Sequence, residues 1–173
     1  MATILDSYPA GTATITIAPE NVATSATLVA GVESGAITNV SNLDLDHQIS
    51  GTWTTGTTPT INTQVQVWVI PVLTDNLGGT VTYPSVFDGT SSAETVPSQG
   101  MLQSIGRMLG TIVVDATTSD LTYALAKSSV AALFGGYLPT TYVLFITHNT
   151  GVNSNSTAGN FVWTYQRIRR TVA

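Results

Sequence analysis

Alternating polar and apolar residues recur along this 173-residue chain, in short stretches that turn residues separate. The clearest stretch is QVQVWVI at residues 64–70, in which three valines alternate with larger or polar side chains. Such a period of two predicts a β-strand, because successive side chains of a strand point to opposite faces. The second face carries Trp68 and Ile70, where a polar surface is normal. We therefore expect a second sheet or a neighbouring protomer to cover it.

The same alternation predicts most of the remaining fold. The turn residues at 56–59 predict a long hairpin that joins residues 43–53 to the strand after the turn. We expect an all-β protein, an antiparallel β-sandwich of jelly-roll type, as one domain over residues 1–173. Residues 1–11 are expected to form an extended N-terminal arm and residues 167–173 a basic C-terminal tail. Further strands are predicted at residues 12–18, 80–86, 141–148 and 160–169.

Two stretches interrupt this pattern and predict one or two short helices. SSVAALFGG at residues 128–136 predicts a single helical turn, because small and apolar residues precede a Gly-Gly stop. MLQSIGRML at residues 101–109 also fits a short helix, although Gly106 weakens that interpretation. TIVVDA, immediately after it, predicts a strand.

The composition is unusual for a soluble domain. Charged residues make up 9% of the chain, against about 25% in an ordinary domain. No apolar run approaches the roughly 20 residues of a membrane helix, and the formal charge of −5 argues against nucleic-acid binding. Either the surface is a neutral cover of Thr, Ser, Asn and Gln, or much of it is buried permanently against partners. We favour the second alternative and expect self-association, with a trimer favoured over a dimer.

Two histidines are candidates for chemistry. His47 falls on the apolar face of its predicted strand, which favours a buried, hydrogen-bonded imidazole. The alternation places Asp44 and Asp46 on the opposite face, so the three side chains are not expected to bind one metal ion without a bulge. His148 ends a predicted strand before a polar loop and is expected to be a turn residue.

A glycosidase would need two carboxylates on either side of a sugar. The candidates are Glu33 and Glu94, supported by Asp88 and Asp115, but none lies in a recognised motif and we expect all four to be solvated loop acids. The chain has no cysteine, no Gly-x-Ser-x-Gly and no phosphate-binding loop. We therefore predict no enzyme activity, and no catalytic, cofactor-binding or metal-binding residues.

Three of the five basic residues lie close together near the C-terminus. The alternation places Phe161, Trp163, Tyr165, Arg167 and Arg169 on one face of the last predicted strand. The aromatic rings could cover the core with the arginines at its rim, or the face could be a contact surface of the kind enriched at interface hot spots. The candidate partner-binding residues are Trp68, Ile70, Trp163, Tyr165, Arg167, Arg169 and Arg170.

Several stretches between residues 50 and 160 are similar to a known family. They are SGTWTTGTTPTINTQVQVWVIP, VFDGTSSAETVPSQGMLQ and VDATTSDLTYALAKSSVAALFGGYLPTTYVLFITHNTGVNSNSTAGN. Together they resemble small structural proteins, of the capsid decoration or cement kind, that are encoded in the head region of tailed bacteriophages. The segment SSVAALFGGYLP followed by FITHNTG is the most specific part. The basic ending YQRIRRTVA lies outside the resemblance.

The resemblance implies a structural virion protein that binds the outer surface of the head and stabilises it. Its expected partners are the major capsid protein and further copies of itself, with no nucleic acid, membrane or cofactor. Its expected location is the capsid surface, after assembly in the host cytoplasm. One alternative is a carbohydrate-binding jelly-roll module for host attachment, for which Trp53, Trp163 and Asn153 are the residues to inspect. Another is a tail-tube or tail-terminator component that reaches a neighbour through a long hairpin at residues 52–70.

Overall fold

The computed structural model describes residues 4–9, 11–41, 43–73 and 80–172. Their secondary structure is mostly β, which confirms the predicted class. The two helices in these residues are α1 (Gln99–Ile105) and α2 (Val130–Leu133). The strands are β1 (Ile4–Ser7), β2 (Ala13–Thr14), β3 (Ala30–Glu33), β4 (Ile37–Thr38), β5 (Asp46–Thr54), β6 (Thr63–Pro71), β7 (Ala93–Thr95), β8 (Arg107–Val114), β9 (Thr122–Ser129), β10 (Thr141–His148) and β11 (Trp163–Val172).

These strands form two antiparallel sheets in a sandwich-like arrangement. The five-stranded sheet has the order β1-β11-β5-β9, and β2 also pairs with β11. The six-stranded sheet has the order β7-β3-β10-β6-β8, and β4 also pairs with β10. The predicted antiparallel sandwich is thus confirmed, and its arrangement is compatible with a jelly roll.

The predicted hairpin of β5 and β6 is wrong. β5 pairs with β11 and β9, whereas β6 pairs with β10 and β8, so residues 55–62 carry the chain from one sheet to the other. The physical reason is burial. Ile49 and Trp53 of β5 and the valines of β6 belong to one apolar cluster between the sheets, which a hairpin within one sheet would not enclose.

Both predicted helices are present. Ser98 caps α1 by accepting a hydrogen bond from the backbone N–H of Met101 at 3.1 Å. The helix ends at Gly106, and β8 begins at the next residue, so the ambiguous stretch contains both a helix and a strand. Ser129 caps α2 in the same way through the N–H of Ala132, at 3.1 Å. No helix in the described ranges is long and apolar enough to cross a membrane.

Several predicted segments differ from the structure. Residues 80–86 form no strand, and Ser85 within them has a φ of 59°. Of residues 12–18, Ala13 and Thr14 form β2. Residues 4–7 of the predicted arm pair with residues 169–172 of the predicted tail, so both belong to the five-stranded sheet. Residues 1–3, 10 and 173 of these extensions lie outside the described residues.

Candidate interaction surface

The outer face of the six-stranded sheet is covered by the chain itself. Trp68 and Ile70 are 5% and 0% exposed, in a cluster with Val143 and Phe145 of β10. Their cover consists of α1, which contributes Leu102, and of residues 83–98, which we call the strap. The strap contributes Phe87 and Val96 and includes β7, which pairs with β3 at the edge of the sheet. The expectation that a second sheet or a neighbouring protomer covers this face is therefore wrong. In this structure Trp68 and Ile70 have almost no surface left for a partner.

Strand directions place Tyr165 and the three arginines of the predicted site at one end of the sandwich. We call it the arginine end: β5 and β10 begin there, and β6 and β11 finish there. Tyr165 is half-buried and packs on His47 with ring centroids 4.4 Å apart. The Arg167 guanidinium lies 5.6 Å from the Tyr165 ring, and Arg169 follows on the same strand. Trp163, by contrast, is 2% exposed in the core between the sheets.

A buried hydrogen-bond chain anchors this end. His47 is fully buried, as expected, and its Nδ1 lies 2.8 Å from the hydroxyl of Tyr142. Its Nε2 lies 3.1 Å from Oδ2 of Asp44. Because a carboxylate only accepts, Nε2 carries the proton and the tyrosine hydroxyl donates to Nδ1. Burial lowers the pKa of His47 and so favours the neutral ring, whereas the carboxylate of Asp44 acts in the opposite direction.

The prediction that Asp44 faces away from His47 is wrong. β5 begins at Asp46, so strand alternation does not apply to residue 44. Leu43 has a φ of 48°, and this left-handed turn brings the next carboxylate back beside the imidazole. Asp46 accepts a hydrogen bond from the backbone N–H of Ala131, at 2.8 Å, next to the start of α2. The described residues contain no group of three potential ligands that could hold a metal ion.

The arginines are matched by carboxylates of the same chain. The guanidinium of Arg169 donates to Asp44, and that of Arg170 donates to Asp6 at 3.0 Å. Arg167 lies 3.8 Å from the other oxygen of Asp44. At this end the charges of the three arginines are balanced by three carboxylates, those of Asp6, Asp44 and Asp46, beside the buried His47. The predicted tail is thus not an uncompensated basic patch.

Sequence reasoning missed the exposed apolar residues of this end. Leu43 is 67% exposed and Leu45 is 36% exposed. Tyr137 is 80% exposed, in a loop whose Thr140 carbonyl accepts a hydrogen bond from the N–H of Asn39. No local signal identified them, because the alternation of leucines with aspartates at residues 43–46 itself predicts a strand whose leucines face the core.

The turn that carries Leu43 is held by several hydrogen bonds, and we call its described residues, 39–41 and 43–45, the anchor turn. The Asn39 side chain donates to the carbonyl of Asp44 at 2.9 Å and accepts from its N–H at 2.6 Å. The N–H of Leu43 bonds to the Asn39 carbonyl at 3.2 Å, and that of Leu45 bonds to the Ile168 carbonyl at 2.7 Å. Together with the buried Asp44 carboxylate, these bonds fix an exposed leucine in a backbone region that such residues rarely adopt.

The opposite end, which we call the asparagine end, is polar. It has an open cleft of about 390 Å³, and most of the residues that line it are small and polar, including Asn21, Asn153 and Asn155. The Asn153 amide donates to Asn21 at 3.0 Å, and Asn155 donates to Asp120 at 2.6 Å. Trp53, expected in a sugar-binding groove, is instead 0% exposed in the core.

His148 lies below this end and is not a simple turn residue. It is fully buried at the end of β10, 4.8 Å from the ring of Trp53. Its Nδ1 lies 2.9 Å from the hydroxyl of Thr150, and its Nε2 lies 3.1 Å from the carbonyl of Val22. Burial lowers its pKa from 6.5 to about 4, so the ring is neutral at physiological pH.

Among the four candidate acids, Glu33 contradicts the expectation of a solvated loop acid. It ends β3 and is 0% exposed, and burial raises its pKa from 4.5 to about 7. Glu94 is half-buried on β7 and accepts from the Ser92 hydroxyl at 2.9 Å. Asp88 and Asp115 are exposed, and they accept hydrogen bonds from Thr90 and Tyr123 respectively.

No protein-family model, curated protein or solved structure matches this chain.

Proposed function

We propose that this chain is a structural virion protein of a tailed bacteriophage, a capsid decoration or cement protein that binds the outer surface of the head. The resemblance over residues 50–160 suggests that class, and the sandwich fold is compatible with it. The observation that carries the proposal is the anchor turn at the arginine end. A rigid turn that presents an exposed leucine is organised for contact before a partner arrives, which lowers the entropy cost of binding.

The chemistry of this end favours an apolar contact with the shell. Exposed ion pairs contribute about 0.2–1 kcal/mol each, and the arginines already have carboxylate partners within the chain. Full burial of a leucine side chain contributes about 1.5–3 kcal/mol. Leu43, 67% exposed, therefore offers more binding free energy than a further ion pair. A contact repeated over many capsid sites needs only such a modest contribution from each copy.

Two alternatives lose the features that favoured them. A carbohydrate-binding module needs an exposed aromatic ring in a groove, but Trp53 and Trp163 are both buried in the core. A tail-tube component was expected to extend a long hairpin from residues 52–70, but β5 and β6 lie in different sheets. The described residues thus contain neither an exposed tryptophan at position 53 or 163 nor a hairpin over residues 52–70.

The test is binding to decoration-free capsids, measured as occupancy against protein concentration. Replacing Leu43 by Gly removes the exposed side chain and relieves the left-handed backbone. We expect roughly tenfold weaker binding, which corresponds to about 1.4 kcal/mol, with no loss of folding stability.

The matched control is Thr58→Gly at the asparagine end. Thr58 is also exposed and also has a positive φ, of 55°, so the same substitution tests the opposite end of the sandwich. Its binding should equal that of the unmodified protein. If L43G binds equally well, the arginine end is not the docking face. If the unmodified protein does not bind capsids at all, the decoration function itself is wrong.

A further inference from the structure

One buried carboxyl group fastens the strap to the six-stranded sheet. Oε1 of Glu33 accepts a hydrogen bond from the N–H of Gly89 at 2.7 Å, and Oε2 accepts from the N–H of Asp88 at 3.2 Å. The backbone adds further ties: the N–H of Glu33 bonds to the Ser92 carbonyl at 2.7 Å, and the N–H of Ala36 bonds to the Gly89 carbonyl at 2.9 Å. Glu33 thus lies at the centre of the attachment.

The strap residue next to this attachment covers the apolar face. Phe87 directly precedes Asp88, is 4% exposed and packs edge-on against Phe145, with centroids 5.3 Å apart. Val96, at the far end of the strap, is 0% exposed in the same cluster as Trp68. If the strap lifted, the part of the outer apolar face that α1 does not cover would therefore be open to solvent.

The surroundings of Glu33 make the attachment of the strap sensitive to ionisation of this carboxyl group. Its charged neighbours are Asp88 on the strap and Glu94 on β7, and both disfavour a second negative charge. Tyr83, also on the strap, has its own pKa raised by burial and by Glu33. Loss of hydration raises the pKa of Glu33 to about 7 and outweighs the two backbone donors, which lower it. With the strap lifted, the carboxyl would be hydrated and its pKa would return towards 4.5.

We propose that residues 83–98 are a pH-sensitive strap, held over the Trp68 face while Glu33 is protonated and loosened when Glu33 ionises. With the strap attached, Glu33 holds a proton that it releases when the strap lifts. A rise in pH therefore shifts the equilibrium towards the form with the strap lifted. Because the chain then presents a second apolar face, the strap would control access to it. This inference does not depend on capsid binding.

The absence of cysteine from the chain allows a direct test. Val96→Cys places a single thiol on the side of the strap that faces the sheet, and its alkylation rate, divided by that of a free cysteine peptide at the same pH, reports lifting of the strap. We expect the normalised rate to rise roughly 70-fold between pH 5 and pH 8, from linkage between pKa values of 4.5 and about 7. Adding Glu33→Gln should leave a slow rate that hardly changes with pH.

Two controls separate strap opening from other events. A thiol at Val67, 0% exposed between the sheets, should be labelled only through global unfolding and should not follow the same profile. Glu94→Gln, at the half-buried acid nearby, should retain most of the pH response. Hydrogen exchange of the Val96 amide, which bonds to the Val29 carbonyl at 2.9 Å, provides the same measurement in the unmodified sequence. The proposal would be overturned if Glu33→Gln left the pH dependence of the Val96→Cys alkylation rate unchanged. It would also be overturned if the thiols at residues 96 and 67 were labelled with the same pH dependence.

Discussion

The inner and outer faces of β6 are both apolar, but they are covered in different ways. On the inner face, Val67 and Val69 pack in one cluster with Ile49 and Trp53 of the opposite sheet. On the outer face, Trp68 packs under a helix of seven residues and a strap whose only strand is the three-residue β7. The inner cover is a five-stranded sheet, whereas the outer cover is attached to its sheet through the short β3–β7 pairing and a few other hydrogen bonds.

Burial alone therefore does not determine how an apolar cluster becomes exposed to solvent. Separating the sheets would expose the large side-chain cluster that both sheets share, so we expect the inner face to be exposed only on global unfolding. The outer face can be exposed when α1 and the strap, with its edge strand β7, detach while the remaining strands stay paired, which is a local opening of lower free energy. Three measurements test this contrast, in addition to the thiol labelling.

The largest effect is expected from Trp53→Ala in the inner cluster. Trp53 is 0% exposed and packs against Phe161 and His148, with centroids 5.4 and 4.8 Å away. Deleting a buried Trp side chain costs about 3–5 kcal/mol in the free energy of unfolding, which urea denaturation will measure. Val162→Ala, at a residue 53% exposed, should change it by less than about 0.5 kcal/mol. If Trp53→Ala reduced the free energy of unfolding by less than Leu102→Ala on the outer face, the expected order of the two faces would be wrong.

A smaller and more local effect is expected from Leu102→Ala in α1. Leu102 is 0% exposed beneath the helix, and a short helix can shift to fill part of the cavity, so we expect a cost of about 2–3 kcal/mol. Hydrogen exchange should accelerate first in residues 83–105, while β5 and β11 stay protected. Met101→Ala, at a residue 39% exposed on the same helix, is the matched control. Equal acceleration in all strands would mean that both faces open together.

The smallest effect concerns pH, because Glu33 on the outer face and His148 on the inner face make the free energy of unfolding change with pH in opposite directions. Glu33, beside the strap, keeps its proton to about pH 7 when folded but loses it near pH 4.5 when unfolded, so its contribution to stability falls as pH rises between these values. His148, on the inner side, binds a proton below pH 6.5 only when unfolded, so its contribution falls as pH drops towards 4.

Substitutions should reveal these opposed slopes. Relative to the unmodified protein, Glu33→Gln should gain about 2 kcal/mol of unfolding free energy between pH 5 and pH 6.5, at about 1.36 kcal/mol per pH unit. His148→Gln should lose a similar amount over the same interval. Urea denaturation at four or more pH values measures both, and Glu94→Gln serves as a control for surface charge. Slopes of the same sign in the two variants would contradict the assignment of these groups.

Strand alternation correctly predicted a large part of the fold. It predicted β10 at its observed bounds, the buried state of His47 and the antiparallel sandwich, since a period of two follows directly from strand geometry. The small residues and Gly-Gly stop around α2 were a sufficient signal for one helical turn. The prediction failed at Asp44, because one left-handed residue before the strand cancels the alternation, and a leucine gives no sign of that conformation.

The candidate site was less accessible from sequence. Tyr165, Arg167 and Arg169 do share a face, but their carboxylate partner Asp44 lies more than 120 positions earlier in the chain. Net charge counted along the sequence therefore gave a basic tail where the fold gives a neutral end. Leu43 was overlooked because an apolar residue beside a strand is normally part of the core, and its exposure follows from the anchor turn.

Local residue order and composition are sufficient to predict that the chain forms strands, that β6 has two apolar faces and that charge is scarce. The assignment of β5 and β6 to different sheets, the cover of Trp68 by the chain's own strap and the burial of Glu33 follow instead from the three-dimensional fold. Each of these outcomes depends on contacts between distant residues. Such contacts are selected by the total surface that the whole chain removes from water, which no single segment specifies.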